Sequence, residues 1–293
     1  MRSKSLLVLV FLGFLACGGA ADAKNITVKG SDTMVLLAQR WAEKYMEKHS
    51  DASIQVTGGG SGTGIAALLN GTTDIATSSR PIKAAEMKTA REGGINTFET
   101  KVAMDALSVV VHKDNPVNEL TMNQVKAIYT GAINSWKDLG GPPKAIVRYS
   151  RESNSGTYVF FKEHVLGNQD YAPDCQNMPG TAAVATAVAK DPAAIGFGGV
   201  AYFLSQPDVK ILKIKKEKDS PAITPVAADG KSLNFEVVYS GEYPIARDLF
   251  CYTAGKPAGQ VGAFLSWIVG PEGQAIADEL GYIPLAKGQA AVK

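Results

Sequence analysis

The chain has 293 residues, 45% of them hydrophobic and 20% charged, with a formal net charge of +2. That is an ordinary globular composition with room for one large or two medium domains. There is no basic run and no patch of aromatics interleaved with cations, so nucleic-acid binding has no support. With so small a charge, the field of the whole molecule gathers no anions, and any anion selectivity must be built locally.

Arg2 and Lys4 precede an apolar run from Leu6 to Leu15, and Ala21-Asp22-Ala23 follows it. This is the order of charged, apolar and small-residue regions in a secretory signal, so residues 1–23 read as a signal peptide. The apolar run is too short to span a membrane. Phe14-Leu15-Ala16-Cys17 also loosely matches a bacterial lipobox, which would put a lipid anchor on Cys17, although Phe14 stands where Leu is usual. Cleavage after Ala23 removes Arg2, Lys4 and Asp22 and so lowers the charge from +2 to +1. Cys175 and Cys251 then remain. An oxidising compartment permits them to pair, and nothing in their spacing decides whether they do. Neither has the His or Cys neighbours that a metal site needs.

Asn25 to Lys29 reads as a strand entering Gly30-Ser31-Asp32-Thr33. Met34, Leu37, Ala38, Trp41 and Tyr45 then recur at helical spacing, with Ser31 or Asp32 placed as the N-cap. A second strand, Ser53 to Thr57, runs into Gly58-Gly59-Gly60-Ser61-Gly62-Thr63-Gly64, followed by a short helix from Ile65 to Asn70. The glycine loop is not a P-loop, because Ile65 stands where Lys is required. The dinucleotide pattern fails at the same residue, and a nucleophile elbow fails at Thr63. What remains is a turn that offers Ser61 and bare N–H groups to an anion. A third strand, Asp74 to Thr77, leads to Ser78-Ser79-Arg80-Pro81 and a helix reaching about Glu92.

Thr97 to Met104 and Ala106 to His112 read as extended segments, and Thr121-x-x-Gln124 as a capping box for a helix that Gly131 closes. A strand from Ala145 to Tyr149 feeds Ser150-Arg151-Glu152-Ser153-Asn154-Ser155-Gly156-Thr157, where a helix begins near Ser155 and Gly167 sits at the C-cap position. Free N–H groups and the helix dipole favour an anion at such a start, and Arg151 brings a bidentate fork to it. A capping serine beside a solvated arginine would have the same sequence. Three hydroxyl-rich helix starts in one chain favour a single anion held between them. Thr181 to Ala189 is a further helix, Ile195 to Gly199 a strand-to-helix turn, and Val209 to Ile214 a strand. Helices cover 259–269 and 272–280. The alternation of strand and helix marks an α/β chain, whose ligands lie outside the carboxyl ends of the strands.

Taken together, six segments resemble the phosphate-binding component of bacterial ABC transporters. They are Lys29 to Thr33, Gly58 to Gly64, Asp74 to Pro81, Ser150 to Thr157, Ala194 to Phe197 and Gly281 to Leu285. The resemblance runs nearly the length of the mature chain. It implies a two-lobe α/β fold, the type II periplasmic binding protein, with each lobe a mixed sheet flanked by helices and the ligand in the cleft between them. With Ala106–Lys113 and Tyr243–Thr253 as crossings, lobe I comprises 24–106 and a return segment 244–293, and lobe II comprises 107–243. The implied phosphate ligands are Ser31, Thr33, Ser61, Ser79, Arg80, Arg151, Ser155, Gly156 and Thr157. No cofactor and no metal are implied. The implied partners are inorganic phosphate and an inner-membrane permease, and the chain is expected to act as a periplasmic monomer.

Some members of that family carry Asp at the position of Ser79, where it accepts the proton of monohydrogen phosphate. Without it another acceptor is needed, and Asp32 is the candidate, with capping as its alternative role; Glu152 is placed to pair with Arg80 or Arg151. Two rival functions differ in class. One is binding of another oxyanion, sulfate or molybdate. The other is a secreted hydrolase or phosphotransferase with Ser61 or Ser155 as nucleophile, which needs a base that His49, His112 and His164 are poorly placed to supply.

Overall fold

The computed structural model describes residues 25–286; the signal peptide, its cleavage site and Cys17 lie outside the described residues. The first part of the chain alternates β1 (Asn25–Gly30), α1 (Val35–Lys48), β2 (Ser53–Thr57), α2 (Ser61–Leu69), β3 (Ile75–Ser78) and α3 (Ala84–Glu92). A 16-residue strand β4 (Thr97–His112) carries the chain across to β5 (Glu119–Thr121), α4 (Met122–Tyr129), β6 (Val147–Arg151), α5 (Gly156–His164), β7 (Gln176–Met178), α6 (Thr181–Lys190) and β8 (Ala194–Gly199). Then follow β9 (Val209–Ile211), β10 (Lys213–Lys215), α7 (Phe235–Tyr239), β11 (Ala246–Ala254), α8 (Gly259–Val269) and α9 (Pro271–Glu279).

One sheet runs through both halves in the order β2-β1-β3-β11-β4-β8-β6-β7, with β9 also paired to β4. The pairings β1–β2, β1–β3, β6–β7 and β6–β8 are parallel, as βαβ crossovers require. The two strands in the middle, β4 and β11, are antiparallel to each other and to their outer neighbours. β4 serves two cores. Val102 and Ala103 pack with Ile26, Trp41, Leu249 and Phe264, under α1, α8 and α9. Leu107, Val109 and Val111 pack with Ile128, Tyr129, Phe161 and Phe197. Alternation along the strand sends Val110 to the opposite face, against Val184 and Val188 of α6. Helices therefore cover both faces of each half, the arrangement that buries a parallel sheet.

Three of the boundaries that differ from those read in the sequence have a clear physical reason. β4 does not break at Asp105, because Arg247 sits directly opposite on β11 and neutralises the charge inside the ladder. α2 starts at Ser61 rather than Ile65. Its glycines are tolerated by close packing: a Cβ on Gly64 would lie 2.4 Å from the Lys29 carbonyl oxygen and 2.5 Å from Gly30 Cα. The expected strand at 209–214 divides into β9 and β10, which pair with different partners. The Thr121 capping box is present, with Gln124 N–H donating to Thr121 Oγ1 at 3.0 Å and Thr121 N–H to Gln124 Oε1 at 2.8 Å.

Cys175 and Cys251 are free thiols in different cores. Burial pushes them up to about 11 and about 12 respectively, so both are protonated and unreactive at neutral pH. No helix among the described residues is long and apolar enough to cross a membrane.

Candidate functional site

The carboxyl ends of β1, β2, β3 and β6 point to one place, and the loops that leave them begin α1, α2 and α5 there. Ser155 caps α5, its Oγ accepting from Thr157 N–H at 3.2 Å and Tyr158 N–H at 3.4 Å. Its own O–H proton stays available as a donor. Neither Ser31 nor Asp32 caps α1; Met34 holds the N-cap position without a side-chain bond. Ser31 is buried, its N–H donating to the Thr77 carbonyl at 2.9 Å. Two aromatic hydroxyls pin this turn: Tyr202 donates to the Asp32 carbonyl at 2.7 Å and Tyr282 to the Thr33 carbonyl at 2.6 Å.

The three hydroxyl-rich starts converge. Thr33 Oγ1 and Thr157 Oγ1 are 2.8 Å apart, although 124 residues separate them. Ser61 Oγ accepts from Ser79 N–H at 3.1 Å and lies 3.4 Å from Ser79 Oγ. A Cβ on Gly156 would fall 2.3 Å from Ser61 Oγ and 2.6 Å from Ser79 Oγ, so the α5 start lies almost on the α2 start. Gly62 N–H donates to the Asn154 carbonyl at 3.0 Å, and Asn154 Nδ2 returns a bond of 3.0 Å to the Gly59 carbonyl. Ser31, Thr33, Ser61, Ser79, Arg80, Arg151, Ser155 and Thr157 are all buried.

The charges are arranged differently from the sequence-based expectation. Arg151 donates from Nη2 to Asp32 Oδ2 at 2.8 Å and to the Pro179 carbonyl at 3.3 Å. Nη1 reaches Thr181 Oγ1 at 2.8 Å and Nε the Met178 carbonyl at 3.3 Å. Four of its five N–H groups are thus committed and one on Nη1 remains. Burial pulls the guanidinium below the ordinary arginine range, and the Asp32 carboxylate pushes back. Asp32 Oδ1 accepts from Gly59 N–H at 2.7 Å, so both its oxygens are engaged. Asp32 is the counter-ion that aims Arg151 and tethers the glycine loop, and each of its oxygens keeps a second lone pair. Glu152 pairs with neither arginine; it is exposed, while Arg151 takes Asp32 and Arg80 takes Glu86.

Arg80 reaches the glycine loop but spends Nη1 and Nη2 on Glu86, at 2.8 and 2.6 Å, and donates also to the Pro81 carbonyl at 2.9 Å. Burial pulls the Glu86 carboxyl upward, but bonds from Arg80 and from Lys83 N–H outweigh it and hold it below the usual glutamate range. A depressed folded-state pKa stabilises the fold above the unfolded value of 4.5 and ceases to as pH falls through the folded one. Glu86→Gln is accordingly expected to destabilise the protein at pH 7 and to lose that penalty towards pH 3, as read by urea unfolding across the range. Equal penalties at both pH values would refute the assignment.

Sequence reasoning missed Thr181, Asp105 and Arg247. Asp105 is 0% and Arg247 5% exposed, and Arg247 reaches both Thr33 and Thr157. Charges inside the otherwise apolar runs Val102–Val111 and Ile245–Tyr252 were the available signal, because buried charges are rare unless paired. His49 stacks on Tyr45, His112 Nδ1 accepts from Asp114 N–H, and His164 Nδ1 lies against the Phe160 carbonyl, all away from these serines.

A strand–loop–helix cleft of this kind, with hydroxyls and helix starts facing each other across a sheet that two central strands carry through both halves, is the architecture of substrate-binding proteins. The profile of the PBP superfamily domain matches residues 16–272. The phosphate-binding protein PstS of Pseudomonas aeruginosa is 32% identical over 278 residues, covering 89% of this chain and 83% of that protein. PstS of Staphylococcus epidermidis is 32% identical over 280 residues, covering 92% and 83%. An ABC-type phosphate transport receptor from Vibrio cholerae superposes with a TM-score of 0.67 at 28% identity, covering 88% of this chain and 99% of that one. A Clostridium perfringens protein described as a phosphate ABC transporter substrate-binding protein, solved with bound phosphate, gives 0.77 at 28% identity, covering 89% and 100%. The chain belongs to the PstS family of phosphate-binding proteins, which are transport receptors and not enzymes.

Proposed function

We propose that this chain captures inorganic phosphate in the cleft between its lobes and delivers it to an ABC-type permease of the inner membrane. The observation that carries the reading is the convergence of buried hydroxyls and helix starts from both halves, with Thr33 and Thr157 at 2.8 Å and Gly156 against Ser61 and Ser79. Such an array supplies donors to an oxyanion without water and without a nucleophile–base pair. In this reading lobe I is 24–106 with 244–293, lobe II is 107–243, and β4 and β11 are the hinge strands. Ser31, Thr33, Ser61 and Ser79 contribute from lobe I, with Arg80 at the edge. Arg151, Ser155, Gly156 and Thr157 contribute from lobe II. The protein is exported by residues 1–23, with cleavage after Ala23 or, alternatively, a lipid anchor on Cys17, and works as a monomer that has no nucleic-acid partner.

Calorimetric titration of the mature chain from Lys24 with phosphate and then sulfate, near pH 8, tests this. Phosphate carries one proton there and sulfate none, while shape and charge match, so a difference between them reports a buried acceptor. Heat from phosphate alone is expected. Heat from sulfate instead would move the reading to another oxyanion, and heat from neither would end it.

A further inference from the structure

Asp105 and Arg247 are cross-strand partners on the two hinge strands, and both are buried. A buried ion pair is often no more stabilising than apolar side chains of the same volume, so its presence here calls for another reason. Its contacts supply one. Arg247 Nη2 has two protons for three acceptors: one goes to Asp105 Oδ2 at 2.7 Å and the other is shared between Thr157 Oγ1 at 3.0 Å and Thr33 Oγ1 at 3.3 Å, while Nε donates to the same Oδ2 at 3.1 Å. The guanidinium carbon lies 5.3 Å from the centre of the Phe160 ring, a cation–π contact that fixes its face. Nη1 has no hydrogen-bond partner among the described residues and is fully buried.

The protons of this cluster can be counted. Thr33 and Thr157 carry one hydroxyl proton each, and one of the two is used in the bond between them. The shared Nη2 proton faces both oxygens, so neither hydroxyl can turn its proton towards the guanidinium. The proton left over has no acceptor within reach, since the unpartnered Asp105 Oδ1 bonds to neither threonine, and so it must leave the cluster. Arg247 thus fixes the pair with a donor facing outwards, the polarity an anion requires, and adds the two uncommitted N–H groups of Nη1. Thr33 comes from the first helix start and Thr157 from the α5 start, so these contacts exist together only when the two halves are closed on each other.

Resting on the phosphate reading above, we propose that Arg247, braced by Asp105, is a positioning residue that joins Thr33 and Thr157 into one donor unit and so makes tight oxyanion binding conditional on closure. Removing Arg247 alone would strand a buried carboxylate and endanger folding. The test variant is therefore the full chain with Asp105→Asn and Arg247→Gln together, compared with wild type, with Thr33→Val and with the three changes combined. Thermal unfolding without ligand monitors the fold, and calorimetry measures phosphate affinity.

The double variant is expected to fold and to bind phosphate at least about tenfold more weakly, as for loss of a charge-assisted bond. Adding Thr33→Val should then weaken binding less than twofold further, because Thr33 acts through Arg247; a merely structural role would give additive losses. Wild-type affinity in the double variant, or additive losses, would overturn the proposal while leaving the receptor reading standing. Failure of wild type itself to bind phosphate would overturn both.

Discussion

Replacing Arg151 by alanine is expected to lower phosphate affinity by about tenfold to a hundredfold, the range of a charged hydrogen bond lost in a dry site. It is also expected to destabilise the fold by about 2 kcal/mol, below the value for a fully buried pair. In the sequence Arg151 reads equally well as a solvated arginine beside a capping serine. The structure gives it 1% exposure and four protein partners, among them Asp32, the Thr181 hydroxyl and two carbonyls. Its removal leaves Asp32 without its cation, and the discount reflects an Asp32 side chain still 18% exposed. Calorimetry and urea unfolding on the same preparation separate the two losses. Wild-type affinity would remove Arg151 from the site, and an unchanged unfolding free energy would show that its partners are satisfied by solvent.

Gly156→Ala should produce the opposite separation, with binding lost and stability kept. Gly156 has an ordinary helical backbone in the first turn of α5, so alanine suits the helix itself and favours it by up to about 1 kcal/mol. Its Cβ, however, would fall 2.3 Å from Ser61 Oγ and 2.6 Å from Ser79 Oγ, across the cleft. One methyl therefore wedges the α5 start off the α2 start. Overpacking of this kind costs about 1–3 kcal/mol, or about fivefold to a hundredfold in affinity. The expected result is weak phosphate binding, an unfolding midpoint no lower than wild type, and no phosphate-induced compaction in small-angle scattering. Tight binding with normal compaction would show that the closed geometry at Gly156 is not the binding-competent one.

Much of this molecule is legible in the residue order. The α/β alternation, the helix behind Thr33, the Thr121 capping box and the polar loops at strand ends each follow from local rules of periodicity and turn chemistry acting over a few residues. So does the anion-friendly character of the Ser61 and Ser155 segments, since a glycine- and serine-rich helix start offers donors wherever the chain goes next. Partner choice among charges was not legible. Arg151 was as close in sequence to Glu152 as a neighbour can be, yet it pairs with Asp32, 119 residues away. An i,i+1 pair on an extended segment faces opposite sides, and the strand β6 aims Arg151 inwards while Glu152 stays in solvent.

The same reason explains Asp105 and Arg247. In the sequence they interrupt two apolar runs, and Asp105 reads as a break between strands. Only the antiparallel register of β4 on β11 sets them face to face and lets a single strand run through. Residue order sets the elements and the chemistry of their ends, because those depend on neighbours within a turn or a strand. Which acid Arg151 and Arg247 meet, and which hydroxyls from opposite halves share a hydrogen bond, depends on sheet register and lobe closure, which act across more than a hundred residues at once.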